Sequence, residues 1–295
     1  MKNVLVVFNY DAGRKQAVLY KQKLHKFLLR RCNKFKFITI DEFKTAEIDE
    51  YDTIFVVGGD GTVNAVAKTI ADTDKTLAII PSGTANLLSA KLGMSENLEK
   101  TFEIIDSNNT TKIDLLDING NLCCLRLGLG YDSDIICKTP QSLKNKFGYF
   151  AYFIAGIIFA LRLTPKKYEI CYDGNRLITD ATCVIIGNSP NMFRNIISVA
   201  KKSSLTDGIF EIFILKAKNP FSFFYEFMRI LLGIKTNNNR TLYLKAKSLE
   251  IKNNWTSCHI DGEKTKLKGD IEVSARAKVL KVYAKSQNLV KETSI

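Results

Sequence analysis

The chain is poor in histidine, proline and tryptophan, and it has no cysteines at ligand spacing. Two histidines, His25 and His259, in 295 residues leave too little imidazole for a Ser-His-Asp hydrolase or a His-ligated zinc site. The seven cysteines lie singly at 32, 137, 171, 183 and 258 and as Cys123-Cys124. Without C-x-x-C or Cys/His spacing they read as reduced, mostly buried small hydrophobes of a cytoplasmic protein. The N-terminal MKNVLVVFNY has too short an apolar run for a signal peptide and no small-residue cleavage site, so it reads as a first strand. Neither G-x-x-x-x-G-K-[ST] nor G-x-G-x-x-G occurs; Gly128-Leu129-Gly130 is followed by Tyr131, Asp132 and Ser133, which breaks the dinucleotide pattern. Acids are short relative to bases, 30 against 43, for a net charge of +13. That balance attracts polyanions, but the basic residues are scattered without interleaved aromatics. The pattern argues against nucleic acid and for an anionic membrane surface or a phosphorylated ligand.

What the sequence does have is Tyr51 to Ala71, an apolar run that breaks into Gly58-Gly59-Asp60-Gly61-Thr62 and resumes at helical spacing. Thr53 to Val57 reads as a buried parallel strand, and Val63, Val66, Ala67 and Ile70 share one helix face. Glycines at a strand-to-helix junction leave no Cβ to block a ligand, allow positive φ and turn N–H groups toward an anion. Asp60 sits awkwardly there, because phosphates repel a carboxylate unless a divalent cation or a proton-transfer role offsets the charge. Strand, loop and helix also occur at Val4–Phe8, Asn9–Gly13 and Gln16–Leu29, and at Leu77–Ile80, Pro81–Thr84 and Ala85–Leu92. Three such units predict a parallel sheet whose loops meet at the strands' carboxyl ends.

Beyond Lys112 the texture becomes β. Asn119-Gly120 and Asp173-Gly174 are hairpin signals, and Ile209–Lys216, Thr241–Ile251 and Ile271–Ala284 read as further strands. The expected domains are 1–115, α/β and nucleotide-binding, and 116–285, with the tail 286–295 returning to the first. Two apolar stretches interrupt the β pattern, Phe147–Leu163 and Phe221–Ile234, both with basic neighbours. The first spans roughly 25 Å at 1.5 Å per residue, short of a bilayer core of about 30 Å. Buried and interfacial readings of both stay open.

Phosphoryl transfer needs a phosphate cradle, a metal and a carboxylate to take the acceptor's proton. The first half offers the cradle and Asp60. The second offers Asp207-Gly208 and Asp261-Gly262-Glu263, where the glycine bends the chain and both acids can face one cleft. His25 reads as a surface residue of an amphipathic helix, while His259 shares a strand face with Asp261 and Glu263 and is placed to orient them.

Together these motifs resemble the bacterial diacylglycerol kinase and lipid kinase family, related to sphingosine kinases, over nearly the whole chain. GGDGTVN at Gly58 to Asn64 is similar to the family's nucleotide loop and PSGTAN at Pro81 to Asn86 to its second loop. LTDGIFEI around Asp207 is similar to its metal segment, and IDGE at Ile260 to Glu263 to its acidic motif. The resemblance implies an α/β nucleotide domain followed by a mostly antiparallel β-sandwich, with the active site in the interdomain cleft. It implies ATP contacts from Asn9, Tyr10, Asp11, Ala12, Gly13, Gly58, Gly59, Asp60, Gly61, Thr62, Val63, Asn64, Gly83, Thr84 and Asn86, with Thr39 on a shorter match. Glu263 becomes the proton acceptor, with Asp60 and Asp261 as further catalytic acids. Asp207, the main chain of Ile209, and Ser204 would hold Mg²⁺. Three departures bear on lipid preference and metal geometry: Tyr10 in place of a proline, Leu87 in place of an acid, and Phe193, Arg194 and Lys201 in place of a Gly-rich segment with proline.

The expectation is an ATP- and Mg²⁺-dependent kinase of a membrane lipid, diacylglycerol first. It would be cytoplasmic, in peripheral contact with an anionic membrane, and without a nucleic-acid partner; a homodimer is left open. The alternatives are an NAD kinase-like enzyme and a non-catalytic, nucleotide-responsive lipid-binding protein.

Overall fold

The structure, a computed structural model, describes residues 3–285 except 10–13, 84, 141, 144–145, 147–149, 162, 189–203, 233, 235–236 and 253–257. Tyr10, Asp11, Ala12, Gly13, Thr84, Phe193, Arg194, Lys201 and the tail 286–295 thus lie outside the described residues. The chain divides into two compact units, Met1–Ile113 with Lys278–Ile295, and Asp114–Ala277.

The first unit runs β1 (Asn3–Phe8), α1 (Arg14–Leu28), β2 (Lys34–Thr39), α2 (Ile40–Phe43), β3 (Thr53–Gly58), α3 (Asp60–Ile70), β4 (Thr76–Pro81), α4 (Leu87–Lys91) and α5 (Leu98–Asp106). Its strands lie in the order β2-β1-β3-β4, all parallel. Every residue of β3 and β4 is buried. Strands covered on both faces read as continuous apolar runs, which is why these two were legible. β2 lies at the edge, and its lysines alternate with buried or half-buried residues. Val63, Val66, Ala67 and Ile70 bury one side of α3. The register pairs Phe8 with Val57 and Gly58 with Pro81, so Asn9, Gly59 and Ser82 all leave the sheet at one edge.

The chain continues through β5 (Thr110–Ile118), β6 (Asn121–Cys123), β7 (Arg126–Gly130), α6 (Tyr131–Lys138), α7 (Phe150–Ala160), β8 (Lys166–Tyr172), β9 (Asn175–Ala181) and β10 (Cys183–Gly187). Then follow β11 (Phe210–Leu215), α8 (Pro220–Leu231), β12 (Thr241–Ala246), β13 (Ser248–Lys252), β14 (Cys258–Ile260), β15 (Glu263–Thr265) and β16 (Ile271–Tyr283). In the second unit one antiparallel sheet has the order β12-β11-β10-β7-β14-β15. A second has β13 between β8 and residues Ile271–Ser274 of β16, with β9 outside β8. Leu127, Ile186 and Ile212 of the first sheet pack with Ile170, Leu249 and Val273 of the second in one core. This is a β-sandwich. The hairpin turns Asn119-Gly120, Asp173-Gly174 and Asp261-Gly262 have positive φ at both positions, the requirement of a type I′ turn. Lys281 and Val282, late in β16, pair in parallel with Thr76 and Leu77 of β4, so the return to the first unit begins before residue 286.

Two sequence expectations are refined. Thr241–Ile251 is two strands in different sheets, because the chain turns at Lys247. There the Asp173 carboxylate accepts the N–H groups of Lys247 (3.1 Å) and Ser248 (3.0 Å) and the Ser248 hydroxyl (3.2 Å). The apolar stretch around α7 yields an 11-residue helix, with Ala151 and Ala155 buried and Ile157 and Ile158 exposed. Among the described residues no helix is long and apolar enough to cross a membrane.

Asp173→Gly tests the turn, since glycine keeps the positive φ while deleting the acceptor. Urea unfolding is expected to show a loss of about 1–2 kcal/mol.

Candidate active site

In the first unit the structure brings Asn9, Gly58 to Asn64 and Gly83 to Asn86 together at one end of the sheet, Thr84 aside. Asn9 donates its side-chain N–H to the Thr62 hydroxyl at 3.0 Å. The Asn86 side chain accepts from Gly83 N (3.0 Å) and donates to Gly83 O (2.7 Å), closing the second loop on itself. None of Gly58, Gly59, Gly61 and Gly83 has a positive φ, so their task is not the left-handed turn that the sequence allows. At Gly58, Gly59 and Gly83 the need is close contact. A Cβ on Gly83 would stand 2.4 Å from the Gly59 Cα, and one on Gly58 would stand 2.6 Å from the Thr62 Cβ. The two loops meet backbone to backbone.

The N-cap of α3 is Gly59, which has no side chain of its own to cap the helix. The N–H groups and dipole of a helix N-terminus favour an anion. The Asn64 side chain is buried, and neither of its polar atoms, nor the buried Ser82 hydroxyl, has a hydrogen-bond partner among the described residues. Buried polar atoms of this kind are uncommon in a closed fold and suit a polar ligand. The Val63 N–H goes to Gly59 O at 3.0 Å, and its side chain is buried. Thr39 caps α2, its hydroxyl accepting from Glu42 N at 3.2 Å.

Asp60 finds a structural partner that sequence reasoning missed. Its Oδ1 accepts the main-chain N–H of Leu87 at 2.8 Å. Asn86 adopts φ 50 and does not cap α4 with its own side chain, so an acid from the neighbouring loop does. A helix N-terminus offsets the negative charge without a metal.

In the second unit the acidic turn separates into two roles. Asp261 Oδ1 accepts from Leu125 N (2.8 Å), Arg126 N (3.0 Å) and the Cys123 thiol (3.1 Å), and Oδ2 accepts from Cys124 N (2.9 Å). Burial, reinforced by the Asp261 charge, pushes the Cys123 thiol well above its ordinary range, which keeps it a donor. Asp261 is therefore a clamp on the 123–126 segment. Glu263, two residues on, is exposed at the start of β15.

His259 is fully buried and does not flank the acids on an open strand face. Its Nε2 lies 2.6 Å from Asp132 Oδ2, and its Nδ1 accepts the Gly262 N–H at 3.2 Å. Arg126 Nη2 stands 3.4 Å from Asp132 Oδ1. Burial opposes ionisation of Asp132, but the Arg126 guanidinium and the His259 ring outweigh it and hold the carboxyl at about 2. The signal in the sequence was the acid of Gly128-Leu129-Gly130-Tyr131-Asp132, which matters outside the dinucleotide pattern that the segment fails.

Ser204 and Asp207 lie in one turn. Asp207 is exposed and accepts the Ile209 N–H at 3.2 Å, and the Ser204 hydroxyl accepts from Thr206 N at 3.0 Å. The buried Asp114, which the sequence reading passed over, accepts Gly208 N at 2.6 Å. Its signal was an acid inside the buried run Ile113 to Leu116. No group of three or more His, Cys, Asp and Glu side chains gathers as a metal site among the described residues. A magnesium ion, however, needs only one or two carboxylates beside water and phosphate oxygens, and the all-oxygen set around Asp207 is of that type.

An apolar cavity of about 510 Å³ opens between α6, α7, α8 and the six-stranded sheet, with Tyr131, Phe213 and Phe227 in its wall. Phe221 (88% exposed), Phe224 and Leu161 stand at its rim.

Comparison with known proteins agrees with this layout. The diacylglycerol kinase catalytic domain family matches residues 3–118, and the YegS C-terminal NAD kinase beta sandwich-like domain family matches residues 127–284. A diacylglycerol kinase of Bacillus subtilis is 30% identical over 216 residues, covering 72% of this chain and 71% of that protein. One from Staphylococcus aureus (strain Newman) is 28% identical over 218 residues, covering 72% and 68%. The crystal structure of a diacylglycerol kinase from Bacillus anthracis superposes with a TM-score of 0.75 at 20% identity, covering 97% of each chain. An NAD kinase from Archaeoglobus fulgidus in complex with ATP gives 0.56 at 10%, covering 98% of this chain and 95% of that one. The last two bear on fold alone.

Two measurements test the site's construction. Asp60→Ala is expected to lower stability by about 1 kcal/mol by uncapping α4, while Asp60→Asn, which keeps an acceptor oxygen, stays near wild type in urea unfolding. The Asp132 carboxyl lies below the unfolded value of about 3.9, so its contribution, about 2–3 kcal/mol, is present above that pH and lost as pH falls toward 2. Unfolding measured from pH 6 to pH 2 should lose this acid limb in Asp132→Asn.

Proposed function

Because the chain belongs to the diacylglycerol kinase family, we propose that it is an ATP- and Mg²⁺-dependent lipid kinase that converts diacylglycerol to phosphatidic acid. The observation that carries the nucleotide half is the α3 N-terminus, with glycine at its N-cap, where two glycine loops touch. In this reading the main chain of Gly58 to Thr62 and Gly83 cradles the ATP phosphates. Asn64 and Ser82 supply polar side chains, and Asn9 to Gly13 and Thr84 complete the contact. Asp60, one oxygen of which caps α4, sits beside the transferring phosphoryl group.

The lipid hydroxyl oxygen attacks the γ-phosphorus, the bond from that phosphorus to the ADP oxygen breaks, and the hydroxyl proton passes to the Glu263 carboxylate. Asp207, with Ser204 and the Ile209 main chain, would hold Mg²⁺, which when bound neutralises charge on the phosphates. Asp261 holds the turn and takes no proton. The acceptor half is supported by the apolar cavity, which suits an acyl chain. Most large apolar side chains that are exposed among the described residues lie on or beside α7 and α8, including Ile157, Ile158, Phe221 and Leu232. With a net charge of +13, such a face suits contact with an anionic membrane surface.

Purified protein incubated with labelled ATP, Mg²⁺ and phosphatidylglycerol vesicles containing diacylglycerol is expected to yield labelled phosphatidic acid. No lipid product with any divalent metal would overturn the reading, and phosphorylation of NAD instead would replace the acceptor. Glu263→Gln is expected to lower kcat by about 10²–10⁴-fold with ATP affinity unchanged.

A further inference from the structure

The turn that presents Glu263 is two residues long, Asp261 and Gly262, between β14 and β15. Both turn residues are restrained by hydrogen bonds beyond the strand ladder, Asp261 from outside the hairpin and Gly262 from a side chain of β14. Asp261 is tied through its carboxylate to Cys123–Arg126, and its own N–H is given to Arg126 O at 2.9 Å. Gly262 has no side chain, and its N–H goes to His259 Nδ1. The histidine ring therefore holds the Asp261–Gly262 peptide, one link before Glu263.

For Nδ1 to accept, the ring proton must sit on Nε2. Asp132 selects that tautomer, because its Oδ2 faces Nε2 at 2.6 Å. Arg126 faces the other oxygen of Asp132. Space for this arrangement is reserved at Gly128, where a Cβ would stand 2.2 Å from His259 Nε2 and 2.3 Å from Asp132 Oδ2. The three polar residues come from β7, α6 and β14, and His259 and Asp132 are buried. Stability alone does not account for them, since a buried ionic or polar set is often no more stabilising than apolar side chains of the same volume. An apolar set could not accept the Gly262 N–H.

We infer that His259 is the positioning residue for Glu263, with Asp132 setting its tautomer and Arg126 anchoring Asp132. The inference rests on the reading of Glu263 as proton acceptor. A carboxylate misplaced by about 1 Å loses on the order of 100-fold in rate, so the restraint at Gly262 acts on turnover and leaves the nucleotide loops alone.

The test uses the full chain with ATP, Mg²⁺ and phosphatidylglycerol vesicles containing diacylglycerol. His259→Phe fills the same space without an acceptor and is expected to lower kcat on the order of 100-fold, with the KM for ATP unchanged. His259→Asn or His259→Gln, which restore an acceptor atom, should regain much of that loss. A role in packing alone would move KM and melting temperature together and show no such rescue. Should His259→Phe fail to fold, nitrogen-15 NMR of the wild-type protein decides. With His25→Gln to assign the two histidines, the spectrum should show His259 protonated on Nε2 and bare on Nδ1. A proton on Nδ1 at neutral pH, or wild-type kcat in folded His259→Phe while Glu263→Gln is inactive, overturns this inference alone. Wild-type kcat in Glu263→Gln overturns the reading beneath it as well.

Discussion

A carboxylate taken out of water must be met by donors, and this chain meets several of its withdrawn acids with main-chain N–H groups. Asp261 accepts three of them and a thiol. Asp60 accepts one at the start of α4, and Asp114 accepts one at Gly208. Side chains serve elsewhere: Arg126 and His259 meet Asp132, and Arg229 and Asn238 meet the buried Glu226. Desolvation that would otherwise neutralise such groups is offset by fixed dipoles and charges. In a protein with thirteen more bases than acids, several acids thus serve as fasteners of the loops that carry the proposed chemistry.

The two units solve separate problems. In the first, parallel strands deliver three loops to one edge, and glycine at 59 and 83 lets two of those loops touch. In the second, a sandwich core supports a short hairpin whose turn is held from both sides. The first kind of construction is set by how closely backbones can approach. The second is set by which buried atoms can accept a proton or a hydrogen bond. Substitutions in the two should fail differently, through steric conflict in one and through loss of alignment in the other.

Much of this was legible in the sequence. β1, β3 and β4 were readable because strands buried on both faces spell continuous apolar runs, and the hairpins at Asn119-Gly120 and Asp173-Gly174 because positive φ demands those residues. The break at Lys247 was not legible, since the acceptor that turns the chain is Asp173, more than seventy residues away. Nor were the partners of Asp60, Asp261 and His259. Spacing along a strand says which residues share a face, but a carboxylate aimed at a distant main chain leaves no local pattern. Asp261 and Glu263 look alike in Asp-Gly-Glu; only burial and hydrogen bonding tell a fastener from an exposed acid.

Asp261 combines a positive φ with a four-donor acceptor role, and few side chains can do both. Asparagine tolerates the φ but turns an NH₂ toward groups that are themselves donors. Glutamate carries the charge on a stem one carbon longer, and glycine keeps only the backbone. Such a position is closed to drift for reasons of architecture. In any survey of natural variation it should look as constrained as a residue that handles substrate, so invariance at this turn would measure the cost of holding the chain still and would not count as a vote for chemistry.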